Sequence, residues 1–129
     1  MPRAPRHPAA WFSALLCWFG LLWFFSSLEG SPDIPPLFPH FDKLEHFGYF
    51  LIGGFLLTGG IFRRNPVSTS WRPVLVTTIV VMAAIGIIDE WHQCFTPGRS
   101  GGDPWDWLAD LVGGTCGAFV LKAIHRRLQ

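Results

Sequence analysis

Residues 73–90 read PVLVTTIVVMAAIGIIDE: a long run with no Asp, Glu, Lys or Arg, followed at once by two carboxylates. A helix that crosses a bilayer needs about 20 mostly apolar residues, with a lower limit near 17. With its polar flanks this run reaches that length. Arg72 stands just before it, and Asp89 and Glu90 stand just after it. The run is therefore basic at its entry and acidic at its exit.

The pattern repeats outward along the chain. Residues 7–28 carry no charged side chain and meet the length requirement outright. Residues 47–62 meet it with their flanks. Residues 107–124 hold Asp110 and Lys122 near their ends and form the weakest of the four runs. Counting them as a span places the C-terminal Lys122, Arg126 and Arg127 on the same side as Arg3, Arg6, Arg63, Arg64 and Arg72. All nine acidic residues then fall on the opposite side, with Lys43 and Arg99. This is the positive-inside pattern. It predicts an all-α fold: an integral membrane four-helix bundle, one domain over residues 1–129, with spans near 10–28, 44–62, 73–91 and 106–124. Both termini are expected in the cytoplasm.

The chain is 129 residues long, half of them hydrophobic, with a mean hydropathy of +0.32. A net charge of +1 hides the separation of the two signs. The basic clusters read as topology signals that touch anionic headgroups, and a nucleic-acid partner is not expected. Cys17, Cys94 and Cys116 form no disulfide framework or paired metal motif; they read as packing residues. The first run resembles the apolar part of a signal peptide, but Ser26-Ser27-Leu28-Glu29 is a poor cleavage site. An uncleaved first helix is expected.

Within that helix, Trp11 and Trp23 suit the two membrane interfaces, and Phe12, Trp18, Phe19, Phe24 and Phe25 read as lipid-facing bulk. Pro32, Pro35, Pro36 and Pro39 make residues 29–41 an extended outer loop. Asp42 followed by Glu45 reads as a helix N-cap with a capping box. Gly48, Gly53, Gly54, Gly59 and Gly60 permit close helix contact, and Gly113 and Gly117 form a GxxxG pair for helix packing. Pro97, Gly98, Gly101, Gly102 and Pro104 mark a tight outer loop, after which Asp103 or Asp106 caps the last helix.

Three polar groups converge on the outer helix ends. Asp42, His46 and Tyr49 share a helical face, with Lys43 beside them. Asp89 aligns with His92 and Gln93, and Glu90 aligns with Gln93. Arg99 precedes Asp103, Asp106 and Asp110, which step by three and four along one stripe. The stripe continues into Gly113, Gly114 and Gly117, so it points at the other helices. Ionisable residues in a membrane segment face the bundle interior or a wet cavity, and they have partners. The binding candidates are Asp42, Lys43, His46, Tyr49, Glu90, Gln93, Arg99, Asp103, Asp106 and Asp110. Lys43 and Arg99 are expected either to neutralise carboxylates or to engage a phosphate or carboxylate ligand; Trp105 and Trp107 suit amide or sugar groups. His46, Glu90 and Asp106 are the first candidates for acid–base catalysis. His46, His92 and the carboxylates offer ligand types for zinc, but the spacing is not HExxH, and no metal ligands or cofactor are assigned.

Asp42-Lys43, His46 and Tyr49, then Glu90 and Gln93, then Pro97-Gly98-Arg99, Asp103 and Asp106, then Gly113-Gly114 and Gly117 together resemble the motifs of the VanZ-like family of small bacterial membrane proteins. The resemblance covers roughly residues 42–120. Asp110 departs from it, because many members have Asn there. The resemblance implies a multi-pass protein of the cytoplasmic (inner) membrane with its polar cluster on the extracytoplasmic side. It implies a link to low-level resistance to the glycopeptide teicoplanin without naming a reaction. Three functions follow as expectations: binding of a cell-wall or lipid precursor or a partner protein, a membrane-embedded enzyme acting on such a precursor, and, third, transport.

Overall fold

The computed structural model describes residues 7–30 and 38–128. The basic tail with Arg3 and Arg6 lies outside them, as does most of the proline-rich loop with Asp33. Four long helices, and no strand among the described residues, make up the fold: α1 (Pro8–Ser26), α2 (Phe41–Arg64), α3 (Trp71–Gln93) and α4 (Pro104–Ile124). A single 3₁₀ turn, His125–Arg127, follows α4. All four helices are long and apolar enough to cross a membrane. At 1.5 Å per residue the 19 residues of α1 match a hydrocarbon core of about 30 Å. The 24 residues of α2 exceed it by about one turn, and the helix is charged at both ends, with Asp42 in its first turn and Arg63 and Arg64 in its last.

The helices alternate in direction. Phe62 at the end of α2 stacks on Trp71 at the start of α3, and Trp71 meets His125 just past α4. Trp11, near the start of α1, reaches Phe55 on the same side. Arg63, Arg64, Arg72, Lys122, Arg126 and Arg127 belong to this end. At the other end Ser26 meets His92, and Lys43 meets Asp103. Charge separation along the sequence has thus become separation between the two ends of a bundle.

α2 and α4 run parallel and form the central pair. Their approach depends on missing side chains. A Cβ on Gly113 would overlap the Phe47 carbonyl, and one turn further a Cβ on Gly117 would overlap the Leu51 carbonyl. A Cβ on Gly54 would strike Gly114 in return. Small residues let backbones approach where lipid supplies no hydrophobic drive between helices. Thr58 of α2 and Thr78 of α3 share a buried hydrogen bond of 2.9 Å, and Phe50, Met82 and Leu121 are fully buried around this core.

α1 docks by aromatic rings set into glycine notches of α2. Trp18 fills the space over Gly53, Trp11 that over Gly59, and Phe12 that over Gly60. Trp18 is therefore buried rather than lipid-facing, because its ring needs the notch and its Nε1 donates to the Tyr49 carbonyl at 2.9 Å. Phe24 and Phe25 do remain exposed. Gly48 differs from the other α2 glycines, since a Cβ there meets nothing within 4 Å.

Every helix starts two or three residues ahead of its expected span. α1 begins at Pro8, where proline suits a first turn whose N–H groups lack partners. It ends at Ser26; the Ser27 hydroxyl donates to the Trp23 carbonyl at 2.7 Å and closes the last turn. α2 is preceded by His40 in the left-handed region, φ 64°, with no side-chain cap. Asp42 lies inside the first turn and is not the N-cap. There it still favours the positive helix end, and its carboxylate binds Lys43 instead.

Candidate functional site

Lys43 is the hub of the outer layer. From the first turn of α2 its ammonium reaches Asp42 at 2.8 Å, Asp103 at 2.7 Å and Asp106 at 2.7 Å. Asp103 is the N-cap of α4. One of its oxygens accepts from the Trp105 N–H at 2.8 Å, and Pro104 occupies the first helical position. The neighbouring Lys43 ammonium, with the Trp105 N–H, holds the Asp103 carboxyl below the usual carboxylate range. The Asp103 N–H donates to Glu90 Oε2 at 2.8 Å. One residue therefore ties together the polar ends of α2, α3 and α4.

A second layer lies one turn deeper. His46 Nδ1 stands 2.8 Å from Asp110 Oδ1, and its Nε2 stands 3.9 Å from Asp106 Oδ2. The two layers match because Lys43 and His46 are three residues apart on α2, while Asp106 and Asp110 are four apart on α4. From α3, Asp89 accepts a hydrogen bond from Gln93 Nε2 at 2.8 Å. Gly86 makes room for Asp110: a Cβ there would lie 2.9 Å from Asp110 Oδ2. Asp89, Glu90 and Asp110 are 3%, 5% and 0% exposed. Glu90 Oε1 and Asp110 Oδ2 have no hydrogen-bond partner among the described residues. Asp106 Oδ1 also lacks a hydrogen bond of good angle, but the Lys43 ion pair at 2.7 Å satisfies it.

Asp42, Lys43, His46, Glu90, Asp103, Asp106 and Asp110 thus come together, and Gln93 joins them through Asp89. Three other residues turn elsewhere. Tyr49 faces α1, where its hydroxyl donates to the Trp18 carbonyl at 3.2 Å. Arg99 pairs with no carboxylate among the described residues; its Nη2 lies 3.5 Å from the Phe25 carbonyl. The loop carries it to α1, away from the aspartate stripe. His92 packs against Trp23 with ring centroids 4.0 Å apart and meets Ser26 at 3.2 Å, so it fastens α3 to α1 and stands apart from the carboxylates. Trp107 donates to the Ala83 carbonyl at 3.0 Å, a helix-to-helix tie, and Trp105 is exposed. Asp89 is the site residue that motif reading passed over. Its signal was present: Gly86, Asp89, Glu90 and Gln93 continue the buried face set by Thr78 and Met82.

A cavity of about 810 Å³ opens beside this cluster, between α1 and the acidic-end halves of α2 and α3. His46, Asp89 and Gln93 form a polar wall. Leu22, Phe25, Leu44 and Ile52 form an apolar one, and Arg99 and Glu29 stand at the loop side. Phe25, Leu44 and Ile52 are also exposed on the outside of the bundle, so the apolar wall continues onto the lipid-facing surface. Four residues of the cluster, His46, Asp89, Glu90 and Asp110, each offer a ligand atom, and these atoms lie within 4.8 Å of one another. Comparisons with protein-family models, with curated proteins and with solved structures each return no match.

Proposed function

We propose that this chain is a VanZ-like protein of the bacterial inner membrane whose acidic end faces outward and holds the head of an envelope lipid or lipid-linked cell-wall precursor. The observation that carries this reading is the two-faced cavity. An apolar wall continuous with the lipid-facing surface suits an acyl or isoprenoid chain. The polar wall of His46, Asp89 and Gln93 suits the hydroxyl, amide or amine groups of a head, since carboxylates accept their hydrogen bonds. Arg99, free of any carboxylate among the described residues, is the group at this cavity placed to meet a phosphate. Lys43 is committed to three aspartates and takes no part in anion binding. The cluster of arginines and Lys122 at the opposite end supports the cytoplasmic assignment of that end. A contribution to teicoplanin resistance would follow from sequestering or presenting such a precursor.

Gly48 supplies the test. It lines the cavity, and a Cβ there meets no atom of the described residues within 4 Å. Gly48→Phe is expected to fill the cavity while leaving the bundle folded. Gly20→Phe, on the exposed face of α1, is the control. Native mass spectrometry of chains extracted in mild detergent is expected to show co-purifying lipid on the parent and Gly20→Phe, and at least tenfold less on Gly48→Phe. Equal lipid on all three would defeat the proposal.

The second reading is a membrane-embedded enzyme, and the His46–Asp110 contact favours it. A carboxylate that fixes one imidazole nitrogen leaves the other to move a proton. Glu90 and Asp106 are the neighbouring acids. Turnover of a lipid-linked precursor by the parent chain, lost in His46→Gln with lipid binding retained, would establish it. Unchanged turnover in His46→Gln would exclude His46 as the base.

A further inference from the structure

The geometry points to a divalent transition-metal site formed by His46, Asp89, Glu90 and Asp110, set into the polar wall of the cavity. Three helices contribute: His46 comes from α2, Asp89 and Glu90 from α3, and Asp110 from α4. Their candidate ligand atoms lie within 4.8 Å of one another. Two ligands on opposite sides of one ion at about 2.1 Å are about 4.2 Å apart. Around an octahedral ion the widest pair can therefore sit as opposite ligands after closing by about half an ångström.

Two further observations point to a cation, beyond the clustering of acids. The first is the pair of buried oxygens without hydrogen-bond partners among the described residues, Glu90 Oε1 and Asp110 Oδ2, in residues that are 5% and 0% exposed. Buried polar atoms are paired in nearly all folded proteins. Here the other oxygen of each carboxylate is already fixed: Glu90 Oε2 by the Asp103 N–H, and Asp110 Oδ1 by His46. The carboxylates are thus oriented with one oxygen left over. Asp89 is oriented in the same way by Gln93 Nε2. Outer hydrogen bonds of this kind hold ligands in place for a metal.

The second observation is the charge balance. Among the described residues, Asp89, Glu90 and Asp110 face a single imidazole and no lysine or arginine. Lys43 is bound to Asp42, Asp103 and Asp106, and Arg99 points to the Phe25 carbonyl. Buried charges are otherwise paired or bound to metals. One nitrogen and three carboxylate donors suit manganese, iron or zinc, which accept mixed nitrogen and oxygen ligands. His46 and Asp89 also line the cavity, so an ion here stands next to whatever occupies that space.

The experiment uses the full chain purified in detergent without chelators and needs no lipid ligand. Metal content by mass spectrometry is expected at about one ion per chain. After stripping with EDTA, manganese or zinc chloride should restore binding by calorimetry and raise the melting temperature. Asp89→Asn and Glu90→Gln keep shape and remove charge. Each is expected to bind metal at least tenfold more weakly and to melt higher than the parent in EDTA, because like charges are relieved. The same variants should gain little from added metal, whereas Glu45→Gln, an exposed acid at the same end, should respond like the parent. The melting comparison stays informative even if one variant folds poorly, since it rests on the difference with and without metal. A parent chain that neither retains nor rebinds either ion overturns the assignment, as does binding unchanged in both variants. The lipid test at Gly48 stands apart from this one, so failure of either reading is visible separately.

Discussion

Lys43 Nζ and Asp106 Oδ1 stand 2.7 Å apart and join the first turn of α2 to the first turn of α4. The partners are unequal: the Asp106 side chain is 6% exposed and that of Lys43 is 26% exposed. Removing the ammonium would leave a buried carboxylate unpaired, and two more carboxylates close by. Loss of one partner of a fully buried pair costs about 3–5 kcal/mol. Partial exposure of Lys43 places Lys43→Met at about 2–3 kcal/mol on the same reasoning. Lys43→Met combined with Asp106→Asn should cost less than the sum of the single changes. Unfolding of the four proteins in graded SDS measures the coupling; strict additivity would show that the pair contributes nothing.

The α2–α4 contact predicts a steep dependence on glycine. Gly113→Ala and Gly117→Ala each place a methyl group onto a backbone carbonyl, of Phe47 and Leu51 respectively. A backbone cannot rotate away as a side chain can, so α2 and α4 must separate. Overpacking of this kind costs about 1–3 kcal/mol, and a backbone clash belongs at the upper end. Gly48→Ala is the counterpart within the same pair of helices, with no atom in its way. It should be neutral or stabilising by up to about 1 kcal/mol from helix propensity alone. Thermal unfolding of the three variants should order them with Gly48→Ala highest; a Gly117→Ala protein as stable as the parent would contradict the packing described.

Three of the four spans could be read from the sequence because each is a charge-free run bounded by charges of opposite sign, as at Arg72 and Asp89; the fourth, which holds Asp110 and Lys122, was legible because it brings the C-terminal basic cluster to the same side as the others. The aspartate stripe from Asp103 to Asp110 was legible for a related reason: its spacing continues into glycines that must face another helix. Trp18 was misread because a tryptophan in an apolar run looks the same whether it faces lipid or a notch. The notch belongs to Gly53, on a different helix. Arg99 and His92 were drawn toward the carboxylates by proximity in sequence, whereas the loop and the end of α3 turn both toward α1. The cap before α2 depends on the backbone of His40, whose left-handed conformation no side-chain pattern announced. Asp89 was overshadowed by Glu90 next to it, although burial places both on the same face.

Asp103 gives a prediction for pH. Its carboxyl is held below the ordinary range, first by Lys43 and then by the Trp105 N–H. A carboxylate whose folded pKa is depressed stabilises the fold above the unfolded value, near 4, and loses that contribution as the pH falls through the folded value. Asp103→Asn keeps an acceptor for the cap and leaves the backbone N–H to Glu90 untouched, but it removes the charge opposite Lys43. The parent should therefore melt above Asp103→Asn at pH 7, and the gap should close as the pH drops below about 4. Other carboxylates titrate in the same window, but they do so in both proteins and cancel in the difference. Asp103→Ala, which loses the cap as well, should stay below the parent at both ends of the range. A gap between the parent and Asp103→Asn that is unchanged from pH 7 to pH 3 would mean that the Lys43 contact adds no stability.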